Sequence, residues 1–403
     1  MIHVLHIFLA VSLFAVAFAG AIHSELPRKV RNLSFIYFGW SLLGQILALP
    51  LLILTIGSLF FALSRVQLSP LIVIINVPTL PLFSLIILRS WQGSQVLSQI
   101  EPDGQGASIG RFLKGSLFPF QLPRRDVKRL KNISYGPSGR KNQLDIYMPK
   151  TKPLLPMPVL IHVHGGGWVV GRKHQQAQPL IGHMASKGWL VVDVNYRLGP
   201  RNKMPAMIQD VLLAVSWVKT NIETYNGDPS FVALTGGSAG GHLVALAGLA
   251  SADESLKPGF EQADCAVDAC VPVYGVYDFC KRSGAFHKGM DELQTFLTRL
   301  VMPGSPEMHE ALWDKVSPIG QIHSQAPPML ILHGRHDMLA DFESAKAFAE
   351  TLNQTSKNKV IFAELPSCQH AYDIAHAPPT PEHTRAVYRF LECVRRAKST
   401  LQP

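Results

Sequence analysis

The sequence predicts an α/β protein with a mostly parallel sheet and helices on both faces, preceded by an apolar helical region. Two observations lead to this fold class. From about residue 131 onward, short apolar runs rich in branched side chains alternate with stretches of helical periodicity. Buried strands that alternate with helices form parallel sheets covered on both faces. The first hundred residues are very apolar, which is typical of membrane-spanning helices.

Three apolar stretches occupy residues 2–21, 33–63 and 71–88. The second carries no charge and exceeds the roughly 20 residues that a membrane span requires. The third contains Pro78 and Pro81, which we expect to kink it. We therefore predict a membrane region of two or three spans over residues 1–95. The first stretch ends in small residues but has no Lys or Arg before it, so both an uncleaved anchor and a cleaved signal fit.

Membrane topology stays open. Arg28, Lys29 and Arg31 favour the cytoplasmic side for the loop after the first stretch. With three spans the rest of the chain would also be cytoplasmic, whereas with two spans it would lie on the opposite side. The sequence thus predicts a membrane location without assigning a side to the globular part.

The net charge of +10 is concentrated beside the apolar stretches. Residues 1–131 contain twelve basic and four acidic side chains, so eight of the ten excess positive charges lie there. Basic charge next to apolar segments favours membrane lipids as a partner. No zinc-finger spacing or aromatic-basic RNA motif is present, so no nucleic-acid partner is predicted. Residues 96–130 form a basic amphipathic connector, which we expect either to lie on anionic lipid or to cap the next domain.

The globular domain is predicted to cover residues 131–403. Its five cysteines follow no metal-binding spacing, and neither a metal nor an organic cofactor is predicted. Ligands of such folds bind beyond the carboxyl ends of the strands, so the loops that follow them are candidate sites. Strands are predicted at residues 144–148, 159–163, 189–194, 231–234, 269–274, 329–332 and 360–364, with helices from residue 205 and at 240–249, 345–352 and 382–398.

The segment Gly236-Gly237-Ser238-Ala239-Gly240 fits the pattern G-x-S-x-G between a predicted strand and a predicted helix. In that context the pattern forms a sharp turn that exposes the serine, and the turn requires small neighbouring residues. The serine then lies at a helix N-terminus, where backbone N–H groups stabilise negative charge. We predict that Ser238 is a nucleophile.

A nucleophilic serine needs a base that accepts its proton and a carboxylate that orients the base. The chain order expected for this turn is serine, acid, histidine. Asp337 follows the predicted strand at residues 329–332, and His370 follows the strand at 360–364. We predict them as acid and base. His333 and His336 precede Asp337 and are interpreted as loop or core histidines.

The segment His164-Gly165-Gly166-Gly167-Trp168 follows the predicted strand at residues 159–163. Glycines there let the backbone approach a substrate and direct N–H groups at its carbonyl oxygen, forming an oxyanion hole. The predicted donors are the N–H groups of Gly165, Gly166 and Ala239. Gly167 and Trp168 are predicted to contact the substrate.

Five motifs occur in order at plausible spacings, and together they resemble the hormone-sensitive-lipase-like carboxylesterases of the α/β-hydrolase superfamily. The chain is most similar to membrane-associated Lip-type esterases and to isoprenylcysteine methylesterases, over about residues 130–395. Gly237 departs from the Asp common in this family, and Ala371-Tyr372 from its Gly-Phe. The motifs are His164-Gly-Gly-Gly-Trp168, Asn195-Tyr-Arg-Leu-Gly-Pro200, Gly236-Gly-Ser-Ala-Gly240, Ser317-Pro-Ile319 and His333-Gly-Arg-His-Asp337.

This resemblance implies an α/β-hydrolase fold and a serine carboxylic ester hydrolase that works through a Ser-His-Asp triad and an acyl-enzyme. The expected substrate is a small-molecule or lipid ester, either lipophilic or of short to medium acyl chain. Two alternatives stay open: an amidase or formamidase with the same triad, and a non-catalytic binding protein on this fold. Acyl-chain preference and oligomeric state are not predicted.

Overall fold

The chain divides into two compact units in the computed structural model. The first comprises Met1–Leu122, Gly334–Leu339 and Glu364–Ala386, and the second comprises Pro123–His333, Ala340–Ala363 and Val387–Pro403. Arg28, Lys29 and Arg31, on which the predicted orientation depends, lie outside the described residues. The structure describes residues 2–22, 34–64, 70–101, 105–122, 124–151, 153–282, 284, 290–366 and 368–401.

The two compact units differ in extent from the predicted domains, whose boundaries at residues 95/96 and 130/131 stay predictions. Residues 334–339 and 364–386, which the prediction assigned to the globular domain, belong with the apolar N-terminal region in one unit. The physical reason is packing: Ala375 and Ala377 form a buried cluster with Ile46 of the second apolar stretch. Segments far apart in sequence thus share one core.

The first unit contains four helices before residue 122: α1 (Ile2–Ile22), α2 (Ser34–Ser64), α3 (Pro70–Ser98) and α4 (Ile109–Leu117). Helices α1 and α2 match the first two apolar stretches to within one residue at each end, whereas α3 begins one residue before the third stretch and continues to Ser98. By length and composition, Tyr37–Ser64 and Pro70–Ser98 could cross a membrane, whereas the apolar part of α1, Leu5–Ala21, is shorter.

The sequence predicts a kink in the third apolar stretch, but the backbone departs from helical geometry in another helix. Among the described residues of the apolar helices, that departure is at Leu47 in α2, three residues before Pro50. A proline lacks an N–H group and its ring clashes with the preceding turn, which disturbs the helix there. Pro78 and Pro81 lie inside α3, which continues as one helix and packs against its neighbours through Phe83 and Ile86.

The strands of one sheet precede the loops that carry the predicted site residues. Among the described residues, eight strands form one sheet in the order β1-β2-β4-β3-β5-β6-β7-β8. Strand β2 pairs antiparallel with β1 and β4, and the pairs from β4 through β3, β5 and β6 to β7 are parallel. The strands are β1 (Val127–Ser134), β2 (Gln143–Pro149), β3 (Met157–Val163), β4 (Leu190–Val194), β5 (Gly227–Gly237), β6 (Ala269–Val273), β7 (Met329–Gly334) and β8 (Val360–Leu365).

Helices alternate with these strands, as the periodicity predicts. Every predicted strand and helix of the globular part has a counterpart, whereas β1, α5, α8 and α9 were not predicted. Strands β4 and β6 are fully buried, as expected for strands covered on both faces. The mostly parallel α/β sheet is therefore confirmed. The helices are α5 (Gln178–Ser186), α6 (Ala206–Asn221), α7 (Ala239–Leu249), α8 (Met290–Leu300), α9 (Glu310–Lys315), α10 (Phe342–Thr355) and α11 (Thr380–Leu401).

Candidate active site

Ser238 lies in the turn between β5 and α7, with φ 58° and ψ −124°. A non-glycine residue with such dihedrals is strained, and such strain is concentrated at functional sites. Two backbone hydrogen bonds stabilise the turn: Ser238 N donates to Val273 O at 3.0 Å, and His242 N donates to Ser238 O at 3.0 Å. The predicted strand–serine–helix turn is thus present.

Glycines flank the serine because the end of β3 leaves no room for side chains. A Cβ atom on Gly240 would lie 2.0 Å from Val163 O, and one on Gly236 would lie 2.4 Å from the same oxygen. Gly237 is restricted by a side chain instead, since its Cβ would lie 2.5 Å from the Tyr274 hydroxyl. A side chain at Gly237 would therefore collide with the Tyr274 ring.

The triple-glycine loop lies directly beside the serine. A Cβ atom on Gly165 would lie 3.0 Å from Ser238 Cβ and 2.7 Å from Gly237 O. Gly166 has φ 118° and Gly167 has φ 57°, conformations that glycine adopts without steric cost. The backbone of the glycine loop therefore lies close to the serine.

One predicted oxyanion donor, the N–H of Gly165, is already hydrogen-bonded in the structure. The N–H of Gly165 donates to the Gln176 side-chain oxygen at 2.7 Å, so this group already has an acceptor. The N–H groups of Gly166 and Gly167 donate to no described residue. Ala239 is the first residue of α7, and the first N–H groups of a helix have no intrahelical acceptor. Gly166, Gly167 and Ala239 thus present the available donors.

Trp168 is a core side chain, and its predicted contact with the substrate stays a prediction. Its side chain is 2% exposed, and its Nε1 donates to His242 Nδ1 at 3.2 Å. The indole also packs edge-on against Phe279. His242 Nε2 in turn donates to Val316 O, and burial lowers the pKa of His242 to about 4. The tryptophan therefore anchors the glycine loop in the core.

Buried charges hold the chain that follows the glycine loop. Asp193 accepts hydrogen bonds from His162 Nδ1 at 2.7 Å and from the backbone N of His174 at 2.6 Å. Asp145 accepts from Lys173 Nζ at 2.7 Å. Although burial alone would raise the pKa of Asp145, hydrogen bonds led by that from Lys173 lower it. A carboxylate on each of two adjacent strands thus binds the segment around Lys173 and His174.

Two histidines near these motifs are not candidate bases. Burial lowers the pKa of His164 to about 4, and its ring stacks on Tyr196 with centroids 4.4 Å apart. His333 is fully buried and bonds to Ala340 O at 3.2 Å, which confirms that it is a core histidine. Both rings have packing roles.

Asp337 and His370 form a hydrogen-bonded pair in the first unit. His370 Nδ1 lies 2.7 Å from Asp337 Oδ2, and their side chains are 7% and 0% exposed. The other carboxylate oxygen, Oδ1, accepts from Leu339 N at 2.8 Å. The carboxylate is therefore fixed at both oxygens, and it orients the imidazole of His370.

The structure thus groups the predicted residues in two sets. Ser238, Ala239 and the glycine loop lie together in the second unit, and Asp337 and His370 lie together in the first. Three other residues near them were not predicted: Gln176, Phe296 and Gln369. Phe296, half-buried on α8, approaches Gly167, since a Cβ there would lie 3.4 Å from its ring. Helix α8 was not predicted, so no signal pointed to this residue.

Comparison with known proteins identifies the family of this chain. The family model described as BD-FAE matches residues 144–352, just over half of the chain. The "Probable carboxylic ester hydrolase LipM" of Mycobacterium tuberculosis is 45% identical over 270 residues, which are 66% of this chain and 62% of LipM. The chain thus spans less than two thirds of that relative.

Two further similarities bear on the predicted resemblance. The "Isoprenylcysteine alpha-carbonyl methylesterase ICME" of Arabidopsis thaliana is 30% identical, over 55% of this chain and 52% of ICME. Esterase B of Lactobacillus rhamnosis has the same fold, with a TM-score of 0.59 and 20% identity, over 77% of this chain and 98% of that one. The resemblance to hormone-sensitive-lipase-like esterases is confirmed, and the chain belongs to the BD-FAE family of α/β-hydrolases.

Proposed function

We propose that this protein is a serine carboxylic ester hydrolase in which Ser238 is the nucleophile, His370 the general base and Asp337 the residue that orients the base. The observation that carries the proposal is the 2.7 Å hydrogen bond between His370 and the fully buried Asp337 carboxylate. The strained serine turn beside a glycine loop supports it. The names of LipM and ICME, a carboxylic ester hydrolase and a methylesterase, support the reaction class.

In the proposed reaction, the Ser238 oxygen forms a bond to the ester carbonyl carbon while its proton passes to His370 Nε2. Asp337 stabilises the imidazolium that results. The tetrahedral oxyanion accepts hydrogen bonds from Gly166, Gly167 and Ala239, and a donor of this kind contributes about 3–4 kcal/mol. His370 then returns the proton to the leaving alcohol as the C–O bond breaks. Water, activated by the same histidine, hydrolyses the acyl-enzyme.

A direct test compares the protein with its Ser238→Ala variant. We expect the variant to lose roughly 10⁴-fold or more of kcat for p-nitrophenyl butyrate while its thermal unfolding is unchanged. A fluorophosphonate probe should label the unmodified protein once, at Ser238. Turnover by Ser238→Ala at the original rate would refute the nucleophile assignment. A matched anilide substrate separates esterase from amidase activity.

The proposed substrate is a lipophilic or short-to-medium-chain ester, reached from a membrane that α2 and α3 span. Their length and apolar composition support this location. Exposed apolar side chains on and after α4, among them Ile109 and Phe120, support contact of the connector with the lipid interface. The protein should stay with the membrane pellet in alkaline carbonate. Extraction into the soluble fraction would contradict membrane spanning.

A further inference from the structure

Helix α2 carries four buried polar side chains although it is otherwise apolar: Ser41, Gln45, Thr55 and Ser58. Buried polar groups are costly unless they are hydrogen-bonded. Thr55 and Ser58, in the second half of the helix, form hydrogen bonds within the group of apolar helices. Thr55 Oγ1 donates to Leu51 O at 2.8 Å, and Ser58 Oγ accepts from Asn76 Nδ2 of α3 at 2.8 Å.

The two polar residues in the first half bond elsewhere. Ser41 and Gln45 are four residues apart and lie on one face of α2. Both accept hydrogen bonds from Gln369: its backbone N donates to Gln45 Oε1 at 3.1 Å, and its side-chain Nε2 donates to Ser41 Oγ at 3.3 Å. This face of α2 thus recognises both the backbone and the side chain of one residue.

Gln369 precedes the base His370, and its own oxygen completes the connection. Gln369 Oε1 accepts from His370 N at 2.9 Å and from Met338 N at 2.8 Å. Met338 follows the acid, Asp337. One fully buried carboxamide therefore bonds to the backbone beside the acid, to the backbone of the base and to α2.

Apolar packing supports the same contact. Ile46 of α2 is buried with Ala375 and Ala377, and Leu42 and Leu47 pack against them. The backbone departure at Leu47 directly follows this face. The first half of α2 is therefore built against residues 369–377, while residues after it pack against α1 and α3.

We propose that Gln45 and Ser41 of α2 are positioning residues for the proposed reaction, because through Gln369 they fix the His370 backbone relative to the Asp337 loop. The apolar region is then a part of the catalytic apparatus as well as a candidate anchor. This inference rests on the proposed roles of Asp337 and His370. Its physical basis is that small displacements of a base from its reacting geometry cost large factors in rate.

The test uses the full-length protein in detergent and five variants. Gln45→Met keeps side-chain length but removes the acceptor, and Ser41→Ala removes the second acceptor. Ser58→Ala is the matched control, because it makes the same change at a buried serine of the same helix that does not bond to Gln369. His370→Ala tests the proposed function itself. Hydrolysis of p-nitrophenyl butyrate, the rate of fluorophosphonate labelling and thermal unfolding are measured for each.

Gln45→Met is expected to lower kcat by about tenfold, with KM changed by less than about twofold. Labelling should slow by the same factor as kcat. Ser41→Ala should have a smaller effect in the same direction, and Ser58→Ala should leave kcat unchanged. Gln45→Glu, which retains an acceptor oxygen at the same reach, should recover part of the loss. This rescue distinguishes positioning from general damage to the helix.

Two results would overturn the inference: unchanged kcat in Gln45→Met, or an equal loss of kcat in Ser58→Ala. If Gln45→Met unfolds, Ser41→Ala compared with Ser58→Ala decides the question. Failure of the proposed function is recognised separately, because His370→Ala would then retain the original kcat. If His370→Ala is inactive while Gln45→Met and Ser41→Ala are fully active, only the role of α2 is refuted.

Discussion

The two units fix their candidate catalytic groups by different means. In the second unit, backbone packing determines the geometry: Gly240 leaves no room for a side chain beside Val163 O, and Ser238 adopts a strained conformation between β5 and α7. In the first unit, side-chain hydrogen bonds determine it: Asp337 binds His370, and Gln369 bonds to the backbone of both loops. The serine turn thus depends mainly on backbone packing, and the acid and base depend mainly on side-chain hydrogen bonds.

This difference explains why short sequence motifs reveal some of the site residues and not others. A backbone turn that excludes side chains requires glycine at fixed positions, so it leaves a short local pattern. A polar network needs only a donor and an acceptor at the right distance, and residues from distant parts of the chain can supply them. The two regions should therefore respond to different substitutions.

The largest effect is expected in the polar region. Asp337→Asn removes the charge that stabilises protonated His370, and we expect kcat for p-nitrophenyl butyrate to fall by roughly 10⁴-fold with little change in KM. Asp341→Asn is the matched control, since Asp341 caps α10 and Asn is an equally good cap. Equal activity of the two variants would show that Asp337 does not orient the base.

In the backbone-packed region, stability should change more than chemistry. A methyl group on Gly240 would lie 2.0 Å from Val163 O, so Gly240→Ala should lower the free energy of unfolding by about 3 kcal/mol. Gly182→Ala is the control, because this helical glycine meets only the Arg124 side chain, which can move. Thermal unfolding in detergent measures both. Equal unfolding temperatures for the two variants would contradict packing as the cause of the glycine requirement.

The smallest effect tests a polar contact inside the backbone-packed region. Gln176→Ala removes the acceptor of Gly165 N–H and should loosen the glycine loop. We expect kcat to fall by about tenfold, the scale of a partly misplaced oxyanion donor. The exposed neighbour Gln175 provides the matched control, Gln175→Ala. If neither variant loses activity, the Gln176 side chain does not hold the glycine loop in its active geometry.

Much of the globular fold could be predicted from the sequence because its signals are local. Apolar periodicity predicted the strands from residue 144 onward, and the two glycine motifs predicted the serine turn and the loop beside it. Strand β1 was not predicted, because most of its residues are exposed or half-buried and it therefore has no buried apolar run.

The sequence by itself determined the class of fold, the resemblance to an esterase family and the candidate triad, because hydrophobic periodicity, small residues at tight turns and the order of polar groups after strands are local properties of the chain. Only the tertiary structure decided that Gly165 N–H is bonded to Gln176, that Trp168 is a core residue and that Gln45 contacts Gln369, 324 residues away. The physical reason is that hydrogen bonds and packing depend on distance in space, which no local pattern specifies.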